Sequence, residues 1–304
     1  MRADTEKLFK ELNKYMEANE NSGKDACTLT EEFMNMIKGT DLDVFSKRGE
    51  LDVYDYIDMA HAAKTKKEQI ENLNKALELE PDNIDAKIML IYAENKDSMT
   101  HMKLLKELAD AEEDKMIKSG FMEENKGIFY GVIETRPFMR LLAKLRIQYI
   151  SLSMLGAARK LSEHMIELCE NDNLGCRYVL MAIYAYMCDE KAALKLWKKY
   201  HNAEDAQLLL SLSMLYYRMN DLEKAKDYLK SVQKVNKDTK KFIDILEKEQ
   251  LDEYIYNLGY AYRMGEIEEL FTYASDNIFI INDVGYEYGK WGKEVLKRQR
   301  KKKE

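Results

Sequence analysis

Four residues carry the strongest hint of chemistry in this chain. Glu134, Arg136 and Arg140 lie within one short stretch, and Arg177 follows further on. A planar guanidinium fork matches a carboxylate or phosphate bidentately, so three arginines could hold an acidic peptide or a phosphate. The same set also reads as an internal ion-pair lock, because Glu134 supplies a counter-charge, and that structural reading is the expected one. Catalysis needs a positioned acid, base or nucleophile. His61, His101, His164 and His201 are scattered without a Ser, Cys or Asp constellation beside them, and neither a Walker loop nor a GxGxxG occurs. Cys27, Cys169, Cys176 and Cys188 form no CxxC pair, and adding His164 gives no compact zinc spacing. The expectation is a non-enzymatic chain with no cofactor and no metal site.

The elements that would position these residues are announced by an internal echo. Gly156, Cys188 and Asn220 lie 32 residues apart, each expected to close one helix and open the next. Around Asn220-Asp221 the pattern is fullest, with Leu209, Leu212, Tyr216, Ala225, Tyr228 and Leu229 at helical spacing. A period in the low thirties marks a helical solenoid whose units bury their apolar faces only against neighbours. The fold expected is all-α, a right-handed superhelical solenoid with an irregular insertion and capping helices. Helices are expected at about 137–154, 157–170, 174–187, 189–200, 204–219 and 221–235, then an extra one at 238–249. Tyr262-Arg263-Met264-Gly265-Glu266 repeats Tyr217-Arg218-Met219-Asn220-Asp221 at a spacing of 45, the surplus being that extra helix. Residues 1–45 read as capping or dimerisation helices, with a capping-box signal at Thr28 and Glu31 and a stop at Gly39. The array spans 50–277, interrupted by a Gly-rich, aromatic insertion at 119–136. Residues 278–296 read as a carboxyl-terminal cap and 297–304 as a basic tail expected to be disordered.

Composition agrees with long amphipathic helices. The 304 residues include only 2 Pro and 13 Gly, with 34% charged and 46% hydrophobic residues. No apolar run is long enough for a membrane span, and the first residues lack an apolar signal stretch, so a cytoplasmic protein is the simplest reading. The net charge is -7, and setting aside the +6 carried by Lys297, Arg298, Arg300, Lys301, Lys302 and Lys303 leaves -13 on the body. An acidic body repels phosphates, so nucleic acid is expected only as weak, salt-sensitive attraction through residues 297–303.

Several strings resemble one protein family. Ala76-Leu77-Glu78-Leu79-Glu80-Pro81-Asp82 resembles the end of a tetratricopeptide repeat, where Ala permits close helix approach and Pro stops the second helix. Gly127 to Arg140, GIFYGVIETRPFMR, and Asn171 to Tyr178, NDNLGCRY, resemble signatures of bacterial proteins related to the suppression-of-tumorigenicity-seven family. The resemblance covers roughly residues 50–275 and implies a tetratricopeptide-repeat scaffold for protein interaction without a defined enzymatic activity. The chain departs from the pattern at Gln69 and Leu161, where Ala is usual, and at Asn173, where Pro is usual.

Such arrays take peptides along the concave face made by the first helix of each repeat. In the frame set by Asn220 and Gly265 that face should show Tyr217, Arg218, Tyr262 and Arg263, with Tyr54 placed likewise in the repeat ending at Pro81. Tyr and Arg are typical of binding hot spots, although tyrosines at helical spacing also serve as packing between repeats. Leu210, Met214, Ile255 and Gly259 stand where a carboxylate clamp would need Lys and Asn, which disfavours a clamp-type co-chaperone. The expected function is non-catalytic binding of a protein or peptide partner on this face. The alternative is a regulatory or nucleic-acid-associated adaptor that uses the basic tail.

Overall fold

The computed structural model describes residues 4–38, 51–94, 97–200, 205–256, 258–259 and 262–297. Every named element among its described residues is a helix, none is a strand, and one isolated bridge joins Ile128 to Cys169. The helices are α1 (Asp4–Ala18), α2 (Ala26–Ile37), α3 (Val53–Ala62), α4 (Lys66–Leu79), α5 (Ile84–Glu94), α6 (Ser98–Lys118), α7 (Phe121–Asn125), α8 (Arg136–Ser151) and α9 (Leu155–Leu168). They continue as α10 (Cys176–Tyr186), α11 (Glu190–Tyr200), α12 (Ala206–Arg218), α13 (Leu222–Val235), α14 (Thr239–Glu247), α15 (Asp252–Ile255), α16 (Ile267–Asp276) and α17 (Ile278–Leu296). The chain divides into two compact units, residues 1–124 with 130–145, and residues 125–129 with 146–304.

In the first unit short polar side chains set the helix starts. Asp52 and Asp55 form a reciprocal capping box at α3, Thr65 accepts from the Glu68 N–H at α4, and Asp97 accepts from the Thr100 N–H at α6. The α2 cap differs from expectation: it is Asp25, whose carboxylate accepts from the Thr28 N–H, so Thr28 lies inside the helix. A carboxylate at this end also meets the positive pole of the helix, a contribution Thr28 could not make. The core gathers Val53, Ile57, Ala60, Leu73, Ala76, Ala86 and Ala93. Ala76 is fully buried there, and its single methyl allows α4 to lie close to its neighbours.

In the second unit the sequence echo has a definite backbone cause. Cys188 and Asn220 adopt the left-handed conformation (φ 54° and 60°), and the next N–H reaches back five residues, Asp189 to the Tyr184 carbonyl and Asp221 to the Tyr216 carbonyl, each at 2.9 Å. This pair of features closes a helix by satisfying carbonyls that its last turn leaves without partners. The same aspartates then open the following helix, accepting from the Ala192 N–H (3.0 Å) and the Lys224 N–H (3.2 Å). Each two-residue joint therefore ends one helix and begins another.

Two expectations shift. Gly156 is not a joint residue: it sits in the first turn of α9, and the left-handed position is taken by Ser153 (φ 56°), with the Met154 N–H on the Tyr149 carbonyl at 2.7 Å. The joints at Ser153, Cys188 and Asn220 are thus 35 and then 32 residues apart. Glu249 (φ 53°) closes α14 in the same way, with the Gln250 N–H on the Ile245 carbonyl. Further on, no long helix leads up to Gly265. Helical structure stops at Ile255 after one turn, and the described residues from 258 to Glu266 are non-helical. Gly259 weakens any helix here, and α12, against which such a helix would pack, is occupied by α16 through a Ser211 to Tyr273 hydroxyl bond of 3.0 Å.

The segment expected to cap the array is a 19-residue helix, α17. It lies on α14 through a face of Gly285, Gly289 and Gly292, where a methyl on Gly289 would stand 2.6 Å from the Glu247 main-chain nitrogen. Only an absent side chain permits that approach.

Candidate binding surface

From Ala206 to Tyr216, α12 is buried on every side, and only its last residues, Tyr217 and Arg218, emerge. What meets them is α17. The Tyr217 ring lies edge-on to Tyr288 (5.3 Å, 85°) and 5.1 Å from Trp291. The Arg218 guanidinium covers the Tyr186 ring at 4.7 Å and forms an ion pair with Asp283. Tyr186, at the end of α10, meets Phe279 edge-on at 5.8 Å. Tyr288 is fully buried, its hydroxyl donating to Ser213 Oγ (2.6 Å), which donates onward to the Ala225 carbonyl (2.7 Å). Burial raises the phenol pKa of both Tyr217 and Tyr288. The surface expected to receive an external peptide therefore carries an aromatic, acid-bearing helix of the same chain.

No family model matches the chain, and no curated protein matches it significantly.

The other expected contact residues are distributed differently. The Tyr262 hydroxyl accepts from Gln207 Nε2 at 2.8 Å, and its pKa is raised by burial and by Glu269 and Asp205. Arg263 is exposed beside Met264, and both precede the left-handed Gly265. Tyr54 belongs to the first unit and is half-buried, with Lys10 Nζ 5.1 Å from its ring centre. Burial, together with the carboxylates of Glu80 and Glu6, pushes its phenol up to about 12.

The ion-pair lock around Glu134 is not what the arginines make. Glu134 is exposed, and no ion pair among the described residues includes it. Arg140 grips Asp85 with two nitrogens (2.9 and 2.5 Å) and Glu6 with the third (2.6 Å), tying α1, α5 and α8 together. Burial works against its charge, but Asp85 and Glu6 more than offset that and raise its pKa. Arg136 donates to the Tyr130 carbonyl (2.9 Å) and lies over that ring, while Thr135 Oγ1 donates to the Val132 carbonyl (2.7 Å) and accepts from the Tyr130 N–H (3.0 Å). These contacts brace the left-handed Tyr130 (φ 71°) within the insertion. Arg177 pairs with Asp172 (3.1 Å), donates to the Tyr178 hydroxyl (2.6 Å) and sits between the Tyr178 and Tyr200 rings. Asp172 also accepts from the Cys176 and Arg177 N–H groups, so this cluster secures the start of α10. Nearby, Gly127 and Phe129 exchange main-chain bonds with Glu170 and Leu168, which anchors that part of the insertion within the second unit.

Sequence reasoning missed Tyr186 and Arg146. Tyr186 precedes Arg218 by 32 residues, the offset of Cys188 from Asn220, so the echo itself marks it. Arg146 carries no such signal. It is 8% exposed, and its Nε and Nη1 have no hydrogen-bond partner among the described residues. It lies within Coulomb range of Asp276, whose pKa burial raises and Arg146 lowers. Among the described residues no group of three or more His, Cys, Asp or Glu side chains is placed to hold a metal ion. None of their helices is long and apolar enough to cross a membrane. The tail from Arg298 onward, Gly39 and residues 40–45 lie outside the described residues.

Proposed function

We propose that this chain is a non-catalytic interaction scaffold of the tetratricopeptide-like helical-repeat kind, binding a protein or peptide partner. The observation that carries the reading is the repeated joint in the second unit. Cys188-Asp189 and Asn220-Asp221 each turn one helix into the next with the same bonds, and α10 packs along α12, as successive first helices of a repeat array do. The strings GIFYGVIETRPFMR and NDNLGCRY add the resemblance to bacterial relatives of the suppression-of-tumorigenicity-seven family. Tyr186, Tyr217 and Arg218 supply residue types that dominate interface energetics.

The test is affinity capture on the full chain, comparing wild type with a Tyr217→Ala/Arg263→Glu variant of unchanged circular dichroism. A protein recovered in constant proportion by wild type and lost by the variant is the expected result. Recovery of RNA with no protein partner would overturn the reading.

A further inference from the structure

The contacts of α17 define a ligand pattern. Along one helix, Phe279, Asp283, Tyr288 and Trp291 meet Tyr186, Arg218 and Tyr217 of the repeat helices. An acid is set against a guanidinium, and aromatic rings against aromatic rings, which is how an amphipathic helix is read by a helical groove.

The fit is incomplete on the receiving side. Nε of Arg218 is buried without a hydrogen-bond partner among the described residues. A buried donor left in this condition costs about 1–3 kcal/mol, more when charged. The helix now seated there satisfies Arg218 in part, through Asp283. A helix with a better placed carboxylate would gain that bond.

We propose that the surface formed by Tyr186, Tyr217 and Arg218 binds an acidic, aromatic amphipathic helix of a partner protein, and that α17 is its resident occupant, displaced when the partner docks. The assignment rests on reading the chain as a binding scaffold and names the chemistry that scaffold selects. Charge complementarity commits it to an acidic helix: the surface offers Arg218, and the resident helix sets Asp283 against it.

The probe is a fluorescent peptide of residues 278–296, titrated by anisotropy into the full chain. Two variants loosen α17 by different routes. Gly289→Leu cannot sit against the Glu247 backbone, and Asp283→Arg turns the ion pair with Arg218 into a repulsion while leaving the glycine face intact. Each variant is expected to bind the peptide at least tenfold more tightly than wild type. Adding Arg218→Ala and Tyr217→Ala is expected to remove that gain, and changing Asp283 to Asn in the peptide to weaken binding severalfold.

Asp283→Arg keeps the test valid should Gly289→Leu lose its helix content. Equal peptide binding by wild type and Asp283→Arg, or binding indifferent to Arg218→Ala, would overturn the proposal. So would a wild-type chain that exchanges α17 between two copies, seen as a dimer in sedimentation. If the peptide fails while wild type still captures a protein, only the resident-helix assignment falls and the scaffold reading stands.

Discussion

Replacing Gly289 by Ala adds one methyl where α17 crosses α14. That carbon would lie 2.6 Å from the Glu247 main-chain nitrogen and 3.0 Å from the Leu246 carbonyl carbon and Cβ. All but the last are backbone atoms, so no rotamer change makes room and the helices must separate. Overpacking of this kind costs about 1–3 kcal/mol. Helix propensity acts in the opposite direction, since Ala is favoured over Gly inside a helix by about 1 kcal/mol. The net expectation is a loss of up to about 2 kcal/mol. Gly156→Ala is the matched control, because that glycine is also helical and a methyl on it meets nothing within 4 Å. It should be neutral or stabilising by up to about 1 kcal/mol. Urea titration followed by Trp291 fluorescence in a Trp197→Phe background reports on the second unit. The midpoint should fall for Gly289→Ala and hold or rise for Gly156→Ala, with melting about 2–4 °C lower per kcal/mol lost for a unit of this size. A Gly289→Ala protein as stable as Gly156→Ala would refute the close backbone approach of α17 and α14.

Arg140→Ala leaves Glu6 and Asp85 buried or half-buried side by side without a counter-charge, and a loss of about 3–5 kcal/mol is expected in denaturant titration of the full chain. A loss below about 1 kcal/mol would show that the pair carries no structural weight. Tyr288→Phe removes a hydroxyl bonded to Ser213 and should cost about 1 kcal/mol, while Tyr256→Phe, at an 89% exposed site, should change nothing in the same melt. Glu269 is 2% exposed, and burial raises its pKa although the Gly265 N–H and Asn236 Nδ2 donate to it. Between the unfolded glutamate value and that raised value the folded state holds the extra proton, so this contribution is present at low pH and lost as pH rises. Glu269→Gln, neutral throughout, should therefore gain on wild type from pH 4 to pH 7.5 in paired urea midpoints. A difference that moves the other way would contradict the assignment. Glu249→Gly relieves a left-handed side-chain conformation worth about 1–2 kcal/mol, less the greater chain entropy of glycine, and should leave stability unchanged or modestly higher by the same titration.

The all-helical character and the joints at Cys188 and Asn220 were legible in the residues because both depend on bonds that span only a few positions. Asp189 and Asp221 need nothing beyond their own turns to close one helix and cap the next. The same local logic fails at Gly156. A glycine is permitted in a left-handed turn but does not demand one, and the Met154 N–H to Tyr149 carbonyl bond places the turn at Ser153 instead.

What the sequence determined by itself is an all-helical chain of alternating helices, because apolar spacing and caps act within a turn or two. Tertiary structure alone decided which charges meet and which surface is covered. Arg140 passes over Glu134, six residues away, for Glu6, 134 residues away, because helix packing brings α1 and α5 to its guanidinium. In the same way Tyr217 and Arg218, which read as open contact residues, are met by α17. A helix that can approach its neighbour to backbone distance along Gly289 carries its aromatic and acidic residues onto them, and no local pattern records where a distant helix comes to rest.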